Sequence, residues 1–129
     1  KRTPLTWAAQ EGRLGMVKIL LQGGANVSHR DGEIRTALSR ASEHGRKEVV
    51  ELLLQKGADV SQKDGNNRTA LSRASEYGRK EIVELLLKEG ANVNHPESGR
   101  SPLSWAAESG DEATANLLID KGALVDSRD

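Results

Sequence analysis

The chain has 129 residues, a length typical of one domain, and its 36% hydrophobic content includes no Phe. Its 19 basic and 19 acidic side chains cancel, so no overall field favours nucleic acid or an anionic membrane as partner. The absence of Cys excludes disulfides and thiolate metal sites and fits an intracellular, cytoplasmic location, and no apolar run approaches the roughly 20 residues that cross a bilayer.

An internal repeat is the main feature of the sequence. Residues 35–60 and 68–93 are identical at 21 of 26 positions, with an offset of 33 residues. Weaker copies begin at Arg2 and Arg100. The pattern predicts a single domain of four units, at approximately 1–30, 31–63, 64–95 and 96–129. Because the first unit lacks its lead-in, we expect the chain to be a fragment of a longer array.

Each unit predicts two helices joined by a turn. A hydroxyl residue followed by Pro or Ala is typical of a helix N-cap, at Thr3, Thr36, Thr69 and Ser101. About nine residues later comes a glycine suited to the left-handed end of a short helix, at Gly12, Gly45, Gly78 and Gly110. A second helix is predicted up to Gly24, Gly57, Gly90 and Gly122. The pairs Asp31-Gly32 and Asp64-Gly65 then predict tight β-turns.

Helical periodicity predicts which side chains are buried. In the first helix of the second unit, Leu38, Ala41 and Ser42 share one face, and Arg40, Glu43 and His44 share the opposite face, which we expect to be exposed. The second helix is apolar over most of its circumference, so it is expected to pack between neighbouring units. Since the first helices carry small residues and the second helices large ones, the stack is expected to curve with the first helices inside.

These motifs resemble the ankyrin repeat, whose pattern begins Gly-x-Thr-Pro-Leu-His-x-Ala-Ala and continues to Leu-Leu-x-x-Gly-Ala. Thr3-Pro4-Leu5, Ala8-Ala9, Leu20-Leu21 and Gly24-Ala25 all fall in phase with it. The resemblance covers nearly the whole chain and implies an all-α solenoid of four helix-turn-helix repeats with short β-turn fingers. The segment Pro102–Glu108 is further similar to the C-terminal ankyrin arrays of fungal nucleotide-binding immune-type receptors. The junction 95–99 is one residue shorter than the others, so its finger is expected to differ in shape.

The resemblance also implies a binding surface, because ankyrin arrays bind through finger tips and the exposed face of the first helices. Carried onto this chain, the implied partner-binding residues are Trp7, Glu11, Glu33, Arg35, Arg40, Glu43, His44, Asn66, Arg68, Arg73, Glu76, Tyr77, Arg100, Trp105 and Glu108, with Arg2, Gln10, Glu97, Ser98 and Ser109 beside them.

One repeat position reads Trp7, Arg40, Arg73, Trp105 along the array. Trp and Arg are enriched at binding hot spots, so one hypothesis is that this row binds an acidic or phosphorylated protein segment. The alternative is structural: each Arg pairs with Glu43 or Glu76 on its own helix, and the Trp residues pack on neighbouring helices.

A second set of arginines recurs at the helix entrances, at Arg2, Arg35, Arg68 and Arg100. Pairing with Glu43, Glu76 and Glu108 is the favoured interpretation there, and the alternating signs argue against nucleic acid.

The sequence contains few candidate catalytic or metal-binding residues. No phosphate-binding loop, nucleophile elbow or two-histidine helix is present, so we predict a non-enzyme without cofactor or metal. His29 and His95 occupy equivalent positions two units apart and cannot share one ion. Asn94 stands where some ankyrin proteins carry a hydroxylatable Asn, although a plain turn residue is the simpler interpretation.

Three functions remain open. The first is a protein–protein interaction module, the recognition or scaffold part of a larger protein, which is a monomer and binds its partner on the concave surface. The second is a structural unit that self-associates end to end, because the first unit keeps an apolar outer face at Met16, Val17, Ile19, Leu20 and Leu21. The third is an engineered ankyrin scaffold, since near-identical middle units are what consensus design yields.

Overall fold

A computed structural model describes residues 2–94 and 100–125 of the chain. Within these residues it contains eight α-helices arranged as four consecutive hairpins, which confirms the predicted helical solenoid. The helices are α1 (Pro4–Gln10), α2 (Leu14–Gln22), α3 (Ala37–Glu43), α4 (Lys47–Gln55), α5 (Ala70–Glu76), α6 (Lys80–Lys88), α7 (Pro102–Ser109) and α8 (Glu112–Asp120).

The first helix of every unit starts where the sequence predicts. The side-chain oxygens of Thr3, Thr36, Thr69 and Ser101 each accept a hydrogen bond from the backbone N–H three residues later. This satisfies one of the backbone donors that a helix start leaves unpaired. In α1 the Thr6 hydroxyl also accepts a hydrogen bond from the Thr3 backbone N–H, which completes a capping box.

The predicted glycines end the first helices in the left-handed conformation. Gly12, Gly45, Gly78 and Gly110 have φ angles of 72°, 75°, 68° and 80°. Most residues with a Cβ would be strained at such φ values, so Gly lets each unit turn sharply into its second helix at the least cost.

The helices form two layers. α1, α3, α5 and α7 pack closely side by side, whereas α2, α4, α6 and α8 make fewer contacts with one another. The core lies between the layers and contains fully buried Val17, Leu53, Leu86 and Leu118, one from each second helix. Because the small Ala and Ser side chains of the first helices permit the closer approach, we expect the array to curve toward that layer. We call the outward sides of α1, α3, α5 and α7, together with the finger turns, the front surface.

The finger turns at 31–35 and 64–68 have the same backbone geometry. In the first, Asp31 N–H donates to Arg35 O at 2.9 Å and Ile34 N–H donates to Asp31 O at 2.8 Å. The left-handed residue is not the Gly of the Asp-Gly pair but the residue three positions after Asp, Ile34 (φ 58°) or Asn67 (φ 62°). A β-branched residue is a marked outlier there, and 49% of Ile34 is exposed. Successive fingers are joined by a hydrogen bond of 2.9 Å from Gly65 N–H to Ile34 O.

A second set of contacts joins each unit to the one before it. Arg46 Nε donates to Gln10 O at 2.9 Å, and Arg79 Nε donates to Glu43 O at 3.0 Å. Both acceptors are carbonyls in the last turn of the preceding unit's first helix, where the helix leaves them unpaired and partly negative. In the fourth unit Asp111 stands at this position and caps α8 instead.

Candidate partner-binding surface

Four residues of the predicted binding surface are buried. The exposed fractions of Arg35, Arg40, Arg68 and Arg73 are 9%, 3%, 6% and 8%. The prediction that Arg40 lies on an exposed helix face is therefore wrong, because a helical wheel takes no account of the finger that folds over the helix. Gln10 is buried as well.

The finger supplies Arg40 with a buried carboxylate. Arg40 Nε and Nη2 both donate to Asp31 Oδ2, at 3.2 and 3.0 Å, and Nη2 also reaches Glu33 Oε1 at 2.5 Å. The other Asp31 oxygen accepts the backbone N–H groups of Glu33 and Arg35, at 2.8 and 3.0 Å. Asp31 therefore holds the finger closed and neutralises the guanidinium beneath it. The proposed pairing of Arg40 with Glu43 on its own helix is wrong.

The third unit repeats this arrangement with one difference. Arg73 Nε and Nη2 donate to Asp64 Oδ2 at 2.9 and 2.8 Å, but its second partner is Asn66 Oδ1 at 3.3 Å, a neutral amide in place of the Glu33 carboxylate. The proposed pairing of Arg73 with Glu76 is likewise wrong. Asp64 also lies 3.5 Å from Arg35 Nε of the preceding unit, so one carboxylate links two units.

Three of the four helix-entrance arginines pair with the glutamates as predicted. Arg35 is paired with Glu43, Arg68 with Glu76 at 2.6 Å, and Arg100 with Glu108 at 2.9 Å. Each pair joins the finger to the last turn of the first helix in its own unit. The first two pairs are largely shielded from water, and the Arg100 pair is more exposed.

Burial and hydrogen bonding shift the pKa values of three finger groups. Burial raises the pKa of Asp31, but hydrogen bonds from the backbone of Arg35 and Glu33 and from the Arg40 side chain outweigh it, so that the pKa lies below its ordinary value. The hydrogen bond from Arg40 likewise lowers the pKa of Glu33. Burial, reinforced by the nearby positive charges of Arg73 and Arg40, lowers the pKa of Arg35 to about 10. All three groups therefore remain charged at neutral pH.

The remaining predicted residues stay at least partly accessible. The exposed residues are Trp7, Glu11, Glu33, Asn66, Tyr77 and Glu108, and the partly buried ones are Glu43, His44, Glu76, Arg100 and Trp105. Arg2 is partly buried and Ser109 exposed, while Glu97, Ser98 and the shortened fourth finger lie outside the described residues. About half of Trp7 (48%) and Tyr77 (46%) is accessible, an unusual exposure for large aromatic side chains.

Trp105 is the centre of a cluster of basic residues between the third and fourth units. The guanidinium carbons of Arg68 and Arg100 lie 3.6 and 4.0 Å from the centroid of its rings. A cavity of about 330 Å³ is lined by Trp105 together with Asn66, Arg68, Arg73 and Arg100. Asp64, Glu76 and Glu108, which pair with these arginines, are not among the described residues that line it. Arg2 stacks less closely on Trp7, at 4.8 Å.

Sequence reasoning missed two features of this surface, the finger aspartates that bind Arg40 and Arg73 and the left-handed finger residue. Both are visible when the units are aligned. Asp31 and Asp64 each stand nine residues before the Arg that they bind, and in the fourth unit Pro96 and Trp105 replace both members together. The left-handed position held by Ile34 reads Asn67 and Gly99 in the next units, both residue types that tolerate positive φ. Comparing the units position by position reveals both features.

The chain matches a family model for ankyrin repeats (3 copies) over residues 1–64 and 61–129. No curated protein matches the chain. Across residues 2–94 and 100–125, no helix is long and apolar enough to cross a membrane, and no three His, Asp or Glu side chains are grouped as a metal site.

Proposed function

The chain belongs to the ankyrin repeat family, and from that premise we propose that it binds a partner protein on its front surface, as the recognition or scaffold part of a larger protein. Ankyrin repeats are generally protein–protein interaction modules and typically have no catalytic role. The observation that supports the front surface is the exposure of Trp7 and Tyr77, together with Ile34 at a finger tip. Large aromatic anchors of this kind contribute most of the binding energy at many interfaces.

The internal pairing of the buried arginines reduces the part of the front surface that we propose for an acidic partner segment. Arg35, Arg40 and Arg73 are paired with carboxylates of the chain itself, and we propose that their main role is to hold the fingers in place. An acidic or phosphorylated partner segment is therefore proposed only for the cluster around Trp105. We place this binding inside the cell, in the cytoplasm, where a chain without Cys needs no oxidising environment.

The test compares variants of the two sides of the array. Replacing Trp7 and Tyr77 by Ala removes the exposed aromatics without touching the core, and Glu51→Ala with Glu84→Ala is the matched control on the outer sides of α4 and α6. We expect the original chain and the control to capture the same cellular protein, identified by mass spectrometry and then purified for direct titration. The aromatic variant should bind that protein at least about tenfold more weakly. Equal loss in the control, or no loss in the aromatic variant, would refute the front surface.

Self-association is the second candidate function, because both ends of the array expose apolar side chains. Met16 and Ile19 on α2 are 47% and 61% exposed, and Ile119, Leu124 and Val125 in the last unit are 42%, 61% and 67% exposed. Light scattering over a range of concentrations distinguishes the two functions. A mass that rises with concentration, and that returns to the monomer value in Ile19→Lys, supports stacking, whereas a constant monomer mass supports the interaction module.

A further inference from the structure

We propose that copies of the chain stack head to tail, so that the side of the first unit facing away from the other three packs on the far side of the fourth unit of another copy. We call the first surface the leading face (Arg13, Met16 and Ile19) and the second the trailing face (Ala107 and Ile119). This inference rests on the second candidate function, self-association, and specifies which surfaces meet. Its basis is that each face repeats one side of the contact between consecutive units.

The leading face exposes positions that are buried in later units. Met16 is 47% exposed, whereas the equivalent Val49 and Ile82 are 1% and 2% exposed. Ile19 is 61% exposed, whereas the equivalent Leu52 is 8% exposed. The later units differ from the first in having another unit packed before them, so the leading face is the kind of surface on which a preceding unit packs.

The trailing face is the other half of the same contact. Ala107 is exposed, whereas the equivalent Ala9, Ser42 and Ser75 are fully buried beneath the unit that follows them. A cavity of about 260 Å³ lies on this face, and most of the residues lining it are apolar, among them Leu103, Ile119, Leu124 and Val125. Residues 126–129 are all polar, so they hold no apolar side chain that could fill it. The apolar side chains of the leading face of a second copy are suited to do so.

An arginine sets the direction of stacking. Within the chain Arg79 Nε donates to Glu43 O of the preceding unit at 3.0 Å, and Arg46 makes the equivalent bond to the first unit. Arg13 is the equivalent residue on the leading face, where it is exposed, and the equivalent carbonyl in the fourth unit is Glu108 O, in the last turn of α7. A helix end of this kind is partly negative. Leading face on trailing face therefore joins a cation to its acceptor, whereas two leading faces would bring two arginines together.

Two variants that each block one face test the head-to-tail order. Ile19→Asp places a charge on the leading face and Ile119→Asp places one on the trailing face, and both side chains are exposed within one copy, so the fold should be retained. In sedimentation equilibrium we expect the mass of the original chain to rise past that of a dimer in roughly the micromolar to millimolar range, and each variant alone to stay a monomer. A 1:1 mixture of the two variants should form a dimer and nothing larger, because each brings one intact face.

The arginine contact has a matched control. Arg13 makes no side-chain bond that caps α2, so Arg13→Ala should leave the helix intact and weaken association about tenfold. Lys18→Ala removes the same charge from another exposed position of α2 and should have no effect, and equal effects of the two variants would overturn the arginine contact.

The failure of stacking is distinguishable from the failure of the other proposals. A mixture of the two blocked variants that stays monomeric, or an Ile119→Asp variant that associates by itself, would refute the head-to-tail order while self-association stands. A constant monomer mass of the original chain up to about 1 mM would refute stacking altogether. The front surface is judged separately, by the loss of partner binding in the Trp7 and Tyr77 variant.

Discussion

At the scale of single residues, the fingers depend on one aspartate each. Asp31 is fully shielded from water and holds Arg40, whose side chain is 4% exposed. Removing one partner of a buried ion pair leaves the other charge uncompensated, which costs more than the pair itself contributes. The same reasoning applies to Asp64 and Arg73. Replacing Asp31 and replacing Asp64 are therefore equivalent mutations, which differ in the second partner of the arginine, Glu33 or Asn66.

We predict that Asp31→Ala lowers the free energy of unfolding by about 3 kcal/mol, measured by urea denaturation. Asp64→Ala should cost more, because the second partner of Arg73 is the neutral Asn66, whereas Arg40 keeps Glu33. Adding Arg40→Met to Asp31→Ala should recover part of the loss, since no buried charge then lacks a partner. Equal costs for both aspartates, or no recovery in the double variant, would contradict this account.

The lowered pKa of Asp31 also predicts how stability depends on pH. Its folded-state pKa lies below the ordinary value of 3.8, so the unfolded chain binds the proton more readily. This contribution is complete above that value and is lost as the pH falls through the folded pKa. The original chain should therefore lose stability below about pH 4 more steeply than Asp31→Asn. Urea titrations between pH 7 and 2.5 measure the difference, and parallel curves would be inconsistent with the shift.

Ile34 is strained in a way that its repeat equivalent is not. A left-handed conformation costs an ordinary residue roughly 1–2 kcal/mol, and Asn tolerates it better, as Asn67 does in the next finger. We predict that Ile34→Asn raises the free energy of unfolding by about 1 kcal/mol. Because Ile34 lies against Gly65, some packing is lost, and Ile34→Ala, which keeps the strain, is the control. An Asn variant no more stable than the Ala variant would show that strain is not the dominant effect.

At the scale of elements, consecutive units are joined by arginine side chains as well as by apolar packing. Arg79 Nε spans from the start of α6 to the Glu43 carbonyl at the end of α3. Gly45 lies against this side chain, with Arg79 Nε 3.2 Å from where a Cβ would stand, so the contact also leaves little space for a larger residue.

We predict that Arg79→Ala lowers the free energy of unfolding by about 1.5 kcal/mol, the usual effect of losing a hydrogen bond from a charged group. The neighbouring Lys80→Ala is the control, because Lys80 is exposed. Urea denaturation of both variants provides the measurement. A cost in Lys80→Ala equal to that in Arg79→Ala would mean that the effect comes from helix α6 itself and not from the contact between units.

At the scale of the whole molecule, the parts predictable from sequence are those set by short-range rules. Helix starts at Thr36 and Thr69, and the left-handed Gly45 and Gly78, depend on residues within one turn and recur in every unit. The burial of Arg40 could not be predicted in this way. Helical periodicity places a long charged side chain in water, but the finger nine residues earlier folds over it and supplies a carboxylate.

The candidate site also combines features set within one helix, which sequence predicts, with contacts between units, which it does not. Its exposed aromatics follow from helix position, so Trp7 was placed correctly from sequence on an accessible face. The cavity at Trp105 requires residues from two units to meet, and its character depends on Asn66, whose significance appears only beside Glu33 in the preceding unit. Contacts between units are thus where sequence reasoning is weakest, and they also determine how the array unfolds.

In an array of this kind each unit contacts only its neighbours, so the effect of a core mutation depends on its place along the chain. Leu53 of α4 and Leu118 of α8 are both fully buried, and replacing either by Ala removes the same side-chain atoms at an expected local cost of about 2–5 kcal/mol. Leu53 lies in an inner unit, so the loss weakens contacts on both sides and should reduce amide protection throughout α1 to α6.

Leu118 lies in the last described unit, which can unfold by itself while the other three stay stacked. We therefore expect Leu118→Ala to lose hydrogen-exchange protection in α7 and α8 while α3 to α6 keep theirs. Exchange measured by mass spectrometry on both variants distinguishes this from a fully cooperative domain, in which both substitutions would reduce protection equally in every helix.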